Sequence, residues 1–352
     1  MIGRNGRIAA GLAALALLGA VPFLASFSLE FSGAAAVAVL YGFAVLSVVI
    51  LTGYVGQFSL CQATFMGISA FGTAALVNHG WAYLPAAGVG VTLSFLLGVL
   101  VALPALRLSG ILLAVVTAGV ALSFDYFFFQ DNAFSWFNGG VSGWGISGQT
   151  IFGQQLDGLS PEHLRTLFLI SLGIFAVVAV LVVNIHDSGS GRRFRAIRDS
   201  EVAAATMGVD LTRYKLLAFG LSAAVAGIGG AIYPLVQGSV TQSPFNFFYS
   251  LQVAAIAVLM GIRFIPAATL GGIFIAFTPP LLPRLQDLAS NVLHQPIEIK
   301  GLWFQLVLGT LLVVQIILYP DGVWGDAAHR VMALINPPQT RRGAKPVAAA
   351  RR

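Results

Sequence analysis

The stretch SGRRFRAIRDSEVAAATMGVDLTRYK, Ser190 to Lys215, interrupts a chain that otherwise consists of long apolar runs. It holds five Arg, one Lys and three acidic residues, whereas Ala, Val, Leu, Ile and Phe dominate the sequence on either side. The apolar runs on either side require an apolar environment. A segment this polar cannot lie in the same environment, because burying unpaired charges is costly. The stretch therefore marks a place where the chain returns to water between two apolar segments.

The composition of the whole chain identifies that apolar environment as a lipid bilayer. Of 352 residues, 57% are hydrophobic and only 9% are charged, whereas roughly 25% are charged in an ordinary soluble domain. The net charge is +6, but the basic residues cluster between apolar runs, which is typical of cytoplasmic loops rather than of nucleic-acid binding. The single cysteine, Cys61, excludes an internal disulfide and a cysteine-rich metal site.

Apolar runs long enough to cross the bilayer core, about 20 residues each, recur along the chain. The clear candidates are 8–29, 34–53, 84–104, 110–130, 164–185, 214–236 and 302–320. The run 60–77 is shorter and rich in small residues, and the run 248–284 breaks at GIRFIP, Gly261 to Pro266. The sequence predicts an all-α polytopic membrane protein with about eight to ten crossings, at least one of them short or discontinuous.

The positive charges predict the orientation of these crossings. With an uncleaved first span, a cytoplasmic N-terminus and strict alternation, sixteen of the nineteen basic residues fall on the cytoplasmic side, as the positive-inside rule requires. Residues 1–335 then form a transmembrane domain, with 131–163 as an ordered but irregular external loop and 186–213 as a cytoplasmic loop. The Pro-, Ala- and Arg-rich residues 336–352 are expected to be a disordered cytoplasmic tail.

The cytoplasmic loop carries signals of short helices. Ser200 can cap a helix that starts at Glu201, whose charge suits a helix N-terminus, and Gly208 can end it. A helix before it would place Phe194 and Ile197 on one face. Helices this short are marginal alone in water and need a surface to dock against. A basic loop resting on anionic membrane lipid and a docking piece for another protein both remain open at this point.

The residues RAIRDSEVAAATMGVDLTRYKLLAFGLSAAVAGIGGAIY, Arg195 to Tyr233, resemble the coupling segment of the M-type permease subunits of branched-chain amino-acid ABC importers. The similarity is ungapped as far as Ala231, with Ser200 where the family has Asn. A second stretch, GYVGQFSLCQATFMGISAFGTAAL, Gly53 to Leu76, is similar to another motif of that family. The resemblance covers nearly all of residues 30–325.

The resemblance implies the fold of an ABC importer permease in a bacterial inner membrane, with both termini in the cytoplasm. It also implies an H-type permease subunit as partner, two ABC ATPase subunits below and an external solute-binding protein above. The partner ATPases would bind ATP. This chain has no G-x-x-x-x-G-K-[ST] motif, so it would be a non-enzymatic transport subunit without a cofactor of its own. The implied substrate is a branched-chain or related small amino acid, moved by alternating access; urea, an amide or another small organic solute remains an alternative.

The coupling role implied by the resemblance falls on the cytoplasmic loop. The residues concerned are Arg195, Arg198, Asp199, Ser200, Glu201, Ala204, Met207 and Gly208. The small side chain of Ala204 would let the short helix enter a groove of an ATPase subunit. The chain departs from the family pattern at Cys61-Gln62, where the family has Gly-His, and at Arg263 and Phe264, which replace small residues.

Small residues between Gly53 and Thr73 favour either close helix packing or a discontinuous helix that lines the translocation path. In the second case Gln57, Ser59 and Gln62 would face the path, and the two amides would hydrogen-bond a zwitterion or water.

Asp125 is the one acid well within a predicted span, so it is either a gate or path residue or a group hydrated near the interface. A self-powered secondary carrier, the alternative class of transporter, would need further acids or histidines inside the membrane, and the coupling segment argues against it.

Overall fold

The structure, a computed structural model, describes residues 29–108, 110–146, 148–151, 154–156, 161–262, 264–293, 309–310 and 313–314. Apart from Leu29 and the two pairs near residue 310, the expected spans at 8–29 and 302–320 lie outside the described residues. Arg263 and the tail 336–352 lie outside them as well.

Helices account for most of the described chain. In order they are α1 (Leu29–Val48), α2 (Gln62–Asn78), α3 (Tyr83–Ala105), α4 (Ile111–Ser123), α5 (Ser135–Asn138), α6 (Pro161–Asp187), α7 (Gly189–Asp199), α8 (Glu201–Thr206), α9 (Leu211–Gln237), α10 (Phe247–Met260) and α11 (Pro266–Leu293). Wider π-helical turns continue α1 over Val49–Tyr54 and α4 over Phe124–Gln130, and short 3-10 turns lie at Asn132–Phe134, Gly140–Ser142 and Ser243–Phe245.

Short strands accompany these helices. They are β1 (Trp144–Gly145), β2 (Gln149–Ile151), β3 (Gln154–Leu156) and β4 (Ser239–Val240). β1 pairs antiparallel with β4, and β2 pairs antiparallel with β3. Within the predicted external loop the chain is therefore more regular than expected, because β1 is hydrogen-bonded to a strand that follows α9.

The predicted spans are confirmed to within a few residues wherever the structure describes them. In that part of the chain, five helices are long and apolar enough to cross a membrane: Gly33–Tyr54, Tyr83–Ala105, Ile111–Gln130, His163–Asp187 and Leu211–Gln237. The short run at 60–77 is the 17-residue α2, and the predicted break at 261–266 separates α10 from α11. The chain is an all-α polytopic membrane protein.

The helix α1 lies at the centre of the bundle, where it packs against α11, α9 and α6. Lipid tails are as apolar as leucine side chains, so the hydrophobic effect does not hold helices together within a membrane. Helix association depends instead on close packing, which small residues permit. Gly98 of α3 lies against Ala223 of α9, Gly230 of α9 lies against the Met66 backbone of α2, and a Cβ at either glycine would overlap its neighbour. These glycines explain how α2, α3 and α9 approach so closely.

One face of α4 is buried, and the buried residues recur at every fourth position. They are Leu113, Thr117, Ala121, Asp125 and Phe129. A repeat of four residues exceeds the 3.6 residues of an α-helical turn, and the wider turns of Phe124–Gln130 keep the last two residues on the buried face. The large apolar side chains of the opposite face, such as Ile111 and Val115, are exposed, as a lipid-facing surface requires.

The connections between helices group at two opposite ends of the bundle. At one end, Lys215 at the start of α9 lies beside Ala105 at the end of α3, with the loop 186–213 close by. At the other end, Ile146 N donates to the Gly238 carbonyl at 2.8 Å after α9 has crossed the bundle. The described parts of 131–163 and 186–213 therefore lie at opposite ends, as the predicted alternation requires.

Candidate functional site

The cytoplasmic loop predicted at 186–213 folds into two short capped helices. The Ser188 side chain accepts a hydrogen bond from Gly191 N at the start of α7. Ser200 accepts one from Ala203 N at 3.2 Å at the start of α8, and Gly208 follows the end of α8 with a φ of +81°. The predicted cap, helix start and helix end are confirmed, because each depends on residues close together in sequence.

Both helices dock on the chain's own transmembrane helices. Phe194 and Ile197 of α7 are buried, as predicted, and Phe194 packs edge-on against Tyr214 of α9 at 5.9 Å. Ala204 of α8 is 0% exposed. The close approach that the small Ala204 side chain permits is therefore to this chain, and the entry of α8 into a groove of an ATPase subunit stays a prediction.

The outward side of the two helices has a different character. Val202 is 77% exposed and Met207 is 70% exposed, both on a segment that is otherwise polar. Beside them opens a cleft of about 400 Å³, whose lining is Arg192, Arg195, Ala196, Asp199, Ser200, Ala203 and Met207. Exposed apolar side chains beside a charged cleft form a surface on which a partner protein can dock. Four of the eight predicted coupling residues line this cleft.

An irregular segment, Gly56–Cys61, follows the π-helical turn of α1 and precedes α2, and we call it the interrupted segment. Most of its residues are buried although they are not helical, which a membrane protein tolerates only where backbone is enclosed by protein or lines a cavity. Leu60 N is held by Thr117 Oγ1 at 3.1 Å, and the Cys61 thiol donates to the Thr117 carbonyl at 2.9 Å. The discontinuity expected for this region is confirmed; its part in a translocation path remains a prediction.

The interrupted segment is joined to α7 and α8 by side chains. Gln57 Nε2 donates to Glu201 Oε1 at 2.9 Å, and Arg198 Nη1 donates to the Gly53 carbonyl at 3.0 Å. Gly56, with a φ of +75°, lies against Arg198, where a Cβ would meet the arginine Cγ at 2.7 Å. A displacement of α7 or α8 therefore acts directly on the backbone between α1 and α2.

Glu201 also binds a lysine that lies inside the bundle. Lys215 Nζ donates to Glu201 Oε2 at 2.8 Å and to the Ala105 carbonyl at 3.1 Å. The Lys215 side chain is 2% exposed and that of Glu201 is 32% exposed. We call Gln57, Arg198, Glu201 and Lys215 the polar junction. It connects the interrupted segment, α7, α8 and α9, and it reaches the end of α3.

Lys215 is the member of this junction that the sequence analysis did not single out as a site residue. It falls within the predicted span 214–236 and stands at the fifth position of the apolar α9. An ionisable residue inside an apolar helix needs a partner of opposite charge. Among the described residues, the carboxylate that lies beside it is that of Glu201, which was predicted on other grounds.

The remaining predicted residues lie in different surroundings. Ser59 is buried and its hydroxyl accepts from Cys61 N at 3.4 Å, so it stabilises the interrupted segment locally. Arg195 donates to the His186 carbonyl at 2.9 Å, and Asp199 pairs with Arg198 at 3.2 Å. Gln62, at the first position of α2, is completely buried.

Asp125 is buried within the bundle, which disfavours the alternative of a side chain hydrated near the interface. It is only 6% exposed. Its carboxylate accepts from Gln130 Nε2 at 3.1 Å and from Phe247 N at 3.4 Å. Asp125 therefore lies at the N-terminus of α10, where a negative charge is favourable. The π-helical turn that precedes the interrupted segment lies near the other end of α10, since Gly53 lies against the Ile262 carbonyl just after α10.

Most of the chain resembles known transport proteins. The family model described as branched-chain amino acid transport system / permease component matches residues 30–316. The high-affinity branched-chain amino acid transport system permease protein LivM of Salmonella typhimurium is 29% identical over 299 residues, which cover 78% of this chain and 65% of that protein. LivM of Escherichia coli is 28% identical over the same shares. The permease protein LivH of Salmonella typhimurium is 26% identical over 181 residues, 51% of this chain and 54% of that protein.

The chain thus spans 65% of the length of the LivM proteins that it matches. No solved structure matches it.

Proposed function

The chain belongs to the family of permease components of branched-chain amino acid transport systems, and from this membership we propose that it is the membrane-spanning subunit of an ATP-driven importer. The LivM relatives are named for branched-chain amino acid transport, and the substrate proposed for this chain is a branched-chain or related small amino acid. The solute crosses by alternating access. The chain supplies part of the membrane path and no ATPase site.

The polar junction is the observation that carries this proposal. A loop that only rests on lipid needs charge, but it needs no connection to the interior of the bundle. Here one carboxylate of α8 holds both the Gln57 amide of the interrupted segment and the Lys215 ammonium of α9. Hydrogen bonds of 2.8 to 2.9 Å weaken steeply when they are stretched by much more than about 0.5 Å. A partner that moves α8 must therefore move the interrupted segment and α9 with it, or break these bonds.

The partners follow from the two faces of α7 and α8. The inward face is occupied by this chain, and the outward face offers Val202, Met207 and the charged cleft. Of the two ABC ATPase subunits of the importer, one docks at this outward face in the cytoplasm, and the pair binds ATP and drives the movement. The similarity to LivH over half of the chain supports an H-type permease as the second membrane subunit. A solute-binding protein delivers the substrate from outside, and no cofactor is held by this chain.

The location follows from the same assignment. The transmembrane domain, residues 1–335, lies in the bacterial inner membrane, with both termini and the tail 336–352 in the cytoplasm. The distribution of sixteen of nineteen basic residues to one side supports this orientation.

Reconstitution in vesicles tests the proposal. The chain is combined with an H-type subunit, two ATPases and the binding protein, and uptake of labelled leucine is measured. We expect uptake against a gradient only when the ATPases and ATP are present. Concentrative uptake without the ATPases would contradict the importer and favour a secondary carrier. Uptake of urea or acetamide in place of leucine would keep the importer but reject the amino-acid substrate.

A variant of the junction tests the observation that carries the proposal. Gln57→Met keeps the length of the side chain and removes the hydrogen bond to Glu201. We expect the ATPases to stay attached and to hydrolyse ATP while leucine uptake falls about tenfold, which corresponds to the loss of one charge-assisted hydrogen bond. Ser47→Ala is the matched control, since that buried hydroxyl bonds only within its own helix, to the Ala44 carbonyl. Unchanged uptake in Gln57→Met would remove the junction from the coupling mechanism.

A further inference from the structure

Gln62 is buried in a way that its structural surroundings do not explain. It is the first residue of α2 and is 0% exposed. Among the described residues, neither its Nε2 nor its Oε1 has a hydrogen-bond partner. The Thr64 hydroxyl, in the same turn of α2, is buried and unpartnered in the same sense. Because an unpaired buried polar group destabilises a fold, this cluster in the first turn of α2 indicates a function other than stability.

The cluster lies deep within the bundle. Phe65, in the first turn of α2, accepts a hydrogen bond through its carbonyl from Ser94 Oγ at 2.9 Å. Ser94 is midway along α3, which runs from Tyr83 to Ala105. Ala63 N in the same turn is held by Ser250 Oγ of α10 at 3.0 Å. The N-terminal end of α2 is therefore near the middle of a membrane-crossing helix, and it directs its partial positive charge at the interrupted segment.

The chemistry of the cluster is uncharged but offers both donors and acceptors. The Gln62 amide has two N–H donors and a carbonyl acceptor, and the Thr64 hydroxyl can act as either. The two buried charged side chains of the described residues are already bound: Lys215 by Glu201 and Ala105, and Asp125 by Gln130 and the start of α10. A net cation or anion at α2 would thus meet no opposite side-chain charge. A zwitterion carries its own two charges and needs a donor at one end and an acceptor at the other.

We propose that Gln62, together with Thr64 and the N-terminal turn of α2, binds a zwitterionic α-amino acid as it passes the middle of the membrane. The Gln62 Nε2 group and the N-terminal end of α2 contact the α-carboxylate, since interrupted helices in transporters direct their N-termini at such groups. The carbonyl oxygen of the Gln62 amide and the Thr64 hydroxyl accept from the α-ammonium. This inference rests on the proposed function and adds to it the residues that recognise the substrate.

The same arrangement links recognition to the polar junction. Gln57 belongs to the polar junction, where its Nε2 donates to Glu201 of α8, and the interrupted segment runs from Gln57 directly to Gln62 at the start of α2. A movement of α8 that displaces Gln57 changes the surroundings of Gln62. Access of the solute to the site is therefore controlled by the segment that the ATPases contact.

The test compares transport with stability in the fully assembled importer. Gln62→Met keeps the length and the unbranched shape of the side chain but removes the amide. We expect the maximal rate of ATP-dependent leucine uptake to fall at least about tenfold, as for the loss of one hydrogen bond to a charged group. KM should stay unchanged, because the binding protein sets it. The melting temperature in detergent should stay equal or rise, because an unpaired buried amide has been removed.

A structural role for Gln62 predicts a different pair of results. If Gln62→Met lowers the melting temperature and the uptake together, or leaves uptake at the wild-type rate, the proposal is wrong. Thr64→Val, which is nearly isosteric, gives a second reading: we expect a fall in uptake of a few fold at unchanged melting temperature, and unchanged uptake would exclude Thr64 from the site. Absence of ATP-dependent leucine uptake by the wild-type complex would instead reject the proposed function, so the two failures are distinguishable.

Discussion

Lys215 is a buried ammonium group whose charge is compensated by Glu201 at 2.8 Å. The pair is asymmetric, because the lysine side chain is 2% exposed and the glutamate 32%. When one partner of a buried pair is removed, the remaining charge is left without compensation, which costs at most about 3–5 kcal/mol. The glutamate can turn towards water, whereas the lysine cannot.

We therefore predict that Glu201→Ala lowers the melting temperature of the purified chain more than Lys215→Met does. The double variant should be more stable than Glu201→Ala alone, because it contains no unpaired buried ammonium group. Thermal unfolding in detergent measures all three variants. Strictly additive effects of the two substitutions would show that the residues are not coupled.

At the scale of elements, α8 has an inward face and an outward face with separate consequences. Ala204 is enclosed by this chain, whereas Met207 is 70% exposed. Ala204→Trp overpacks the contact between α8 and the bundle, which typically costs about 1–3 kcal/mol. Met207→Asp changes a surface position, where substitutions usually alter stability by less than about 0.5 kcal/mol.

The expected outcomes of these two substitutions are opposite. Ala204→Trp should lower the melting temperature of the chain by several degrees even when no ATPase is present. Met207→Asp should leave the melting temperature unchanged and weaken the pull-down of the ATPase subunits. A loss of ATPase binding in Ala204→Trp without any loss of stability would show that α8 is held by the partner rather than by this chain.

At the scale of the whole molecule, the proposed orientation assigns the two ends of the bundle to different compartments. Val141 is 93% exposed in the loop after α5, and Met207 is exposed at the opposite end. The native Cys61 is buried and serves as an unreactive background.

Cysteine substitutions at these two positions test the orientation in intact cells. Val141→Cys should react with an impermeant maleimide added outside, and Met207→Cys should react only after the membrane is permeabilised. Labelling in the reverse pattern would place the loop 186–213 outside and reject the importer orientation.

The helical fold was largely predictable because it depends on local properties of the chain. The lengths of the apolar runs predicted the membrane-spanning helices, and the residues from Gly261 to Pro266 indicated the break between α10 and α11. The Ser200 cap and the end of α8 at Gly208 also follow from neighbouring residues. Each of these features is decided within one or two helical turns, so the sequence contains the information directly.

The polar junction depended on tertiary structure. Gln57 and Glu201 are 144 residues apart in the chain, and Lys215 reaches a carbonyl 110 residues away. Family resemblance pointed to Glu201 and Ala204, yet it did not show that both side chains turn inward. Which side of α8 faces the bundle is decided by how α1, α3 and α9 pack at their ends, and no local pattern encodes that. The sequence by itself therefore determined where the chain crosses the membrane and where its short helices begin and end, whereas only the packed bundle decided which polar groups meet and which, like the Gln62 amide, are left unpaired.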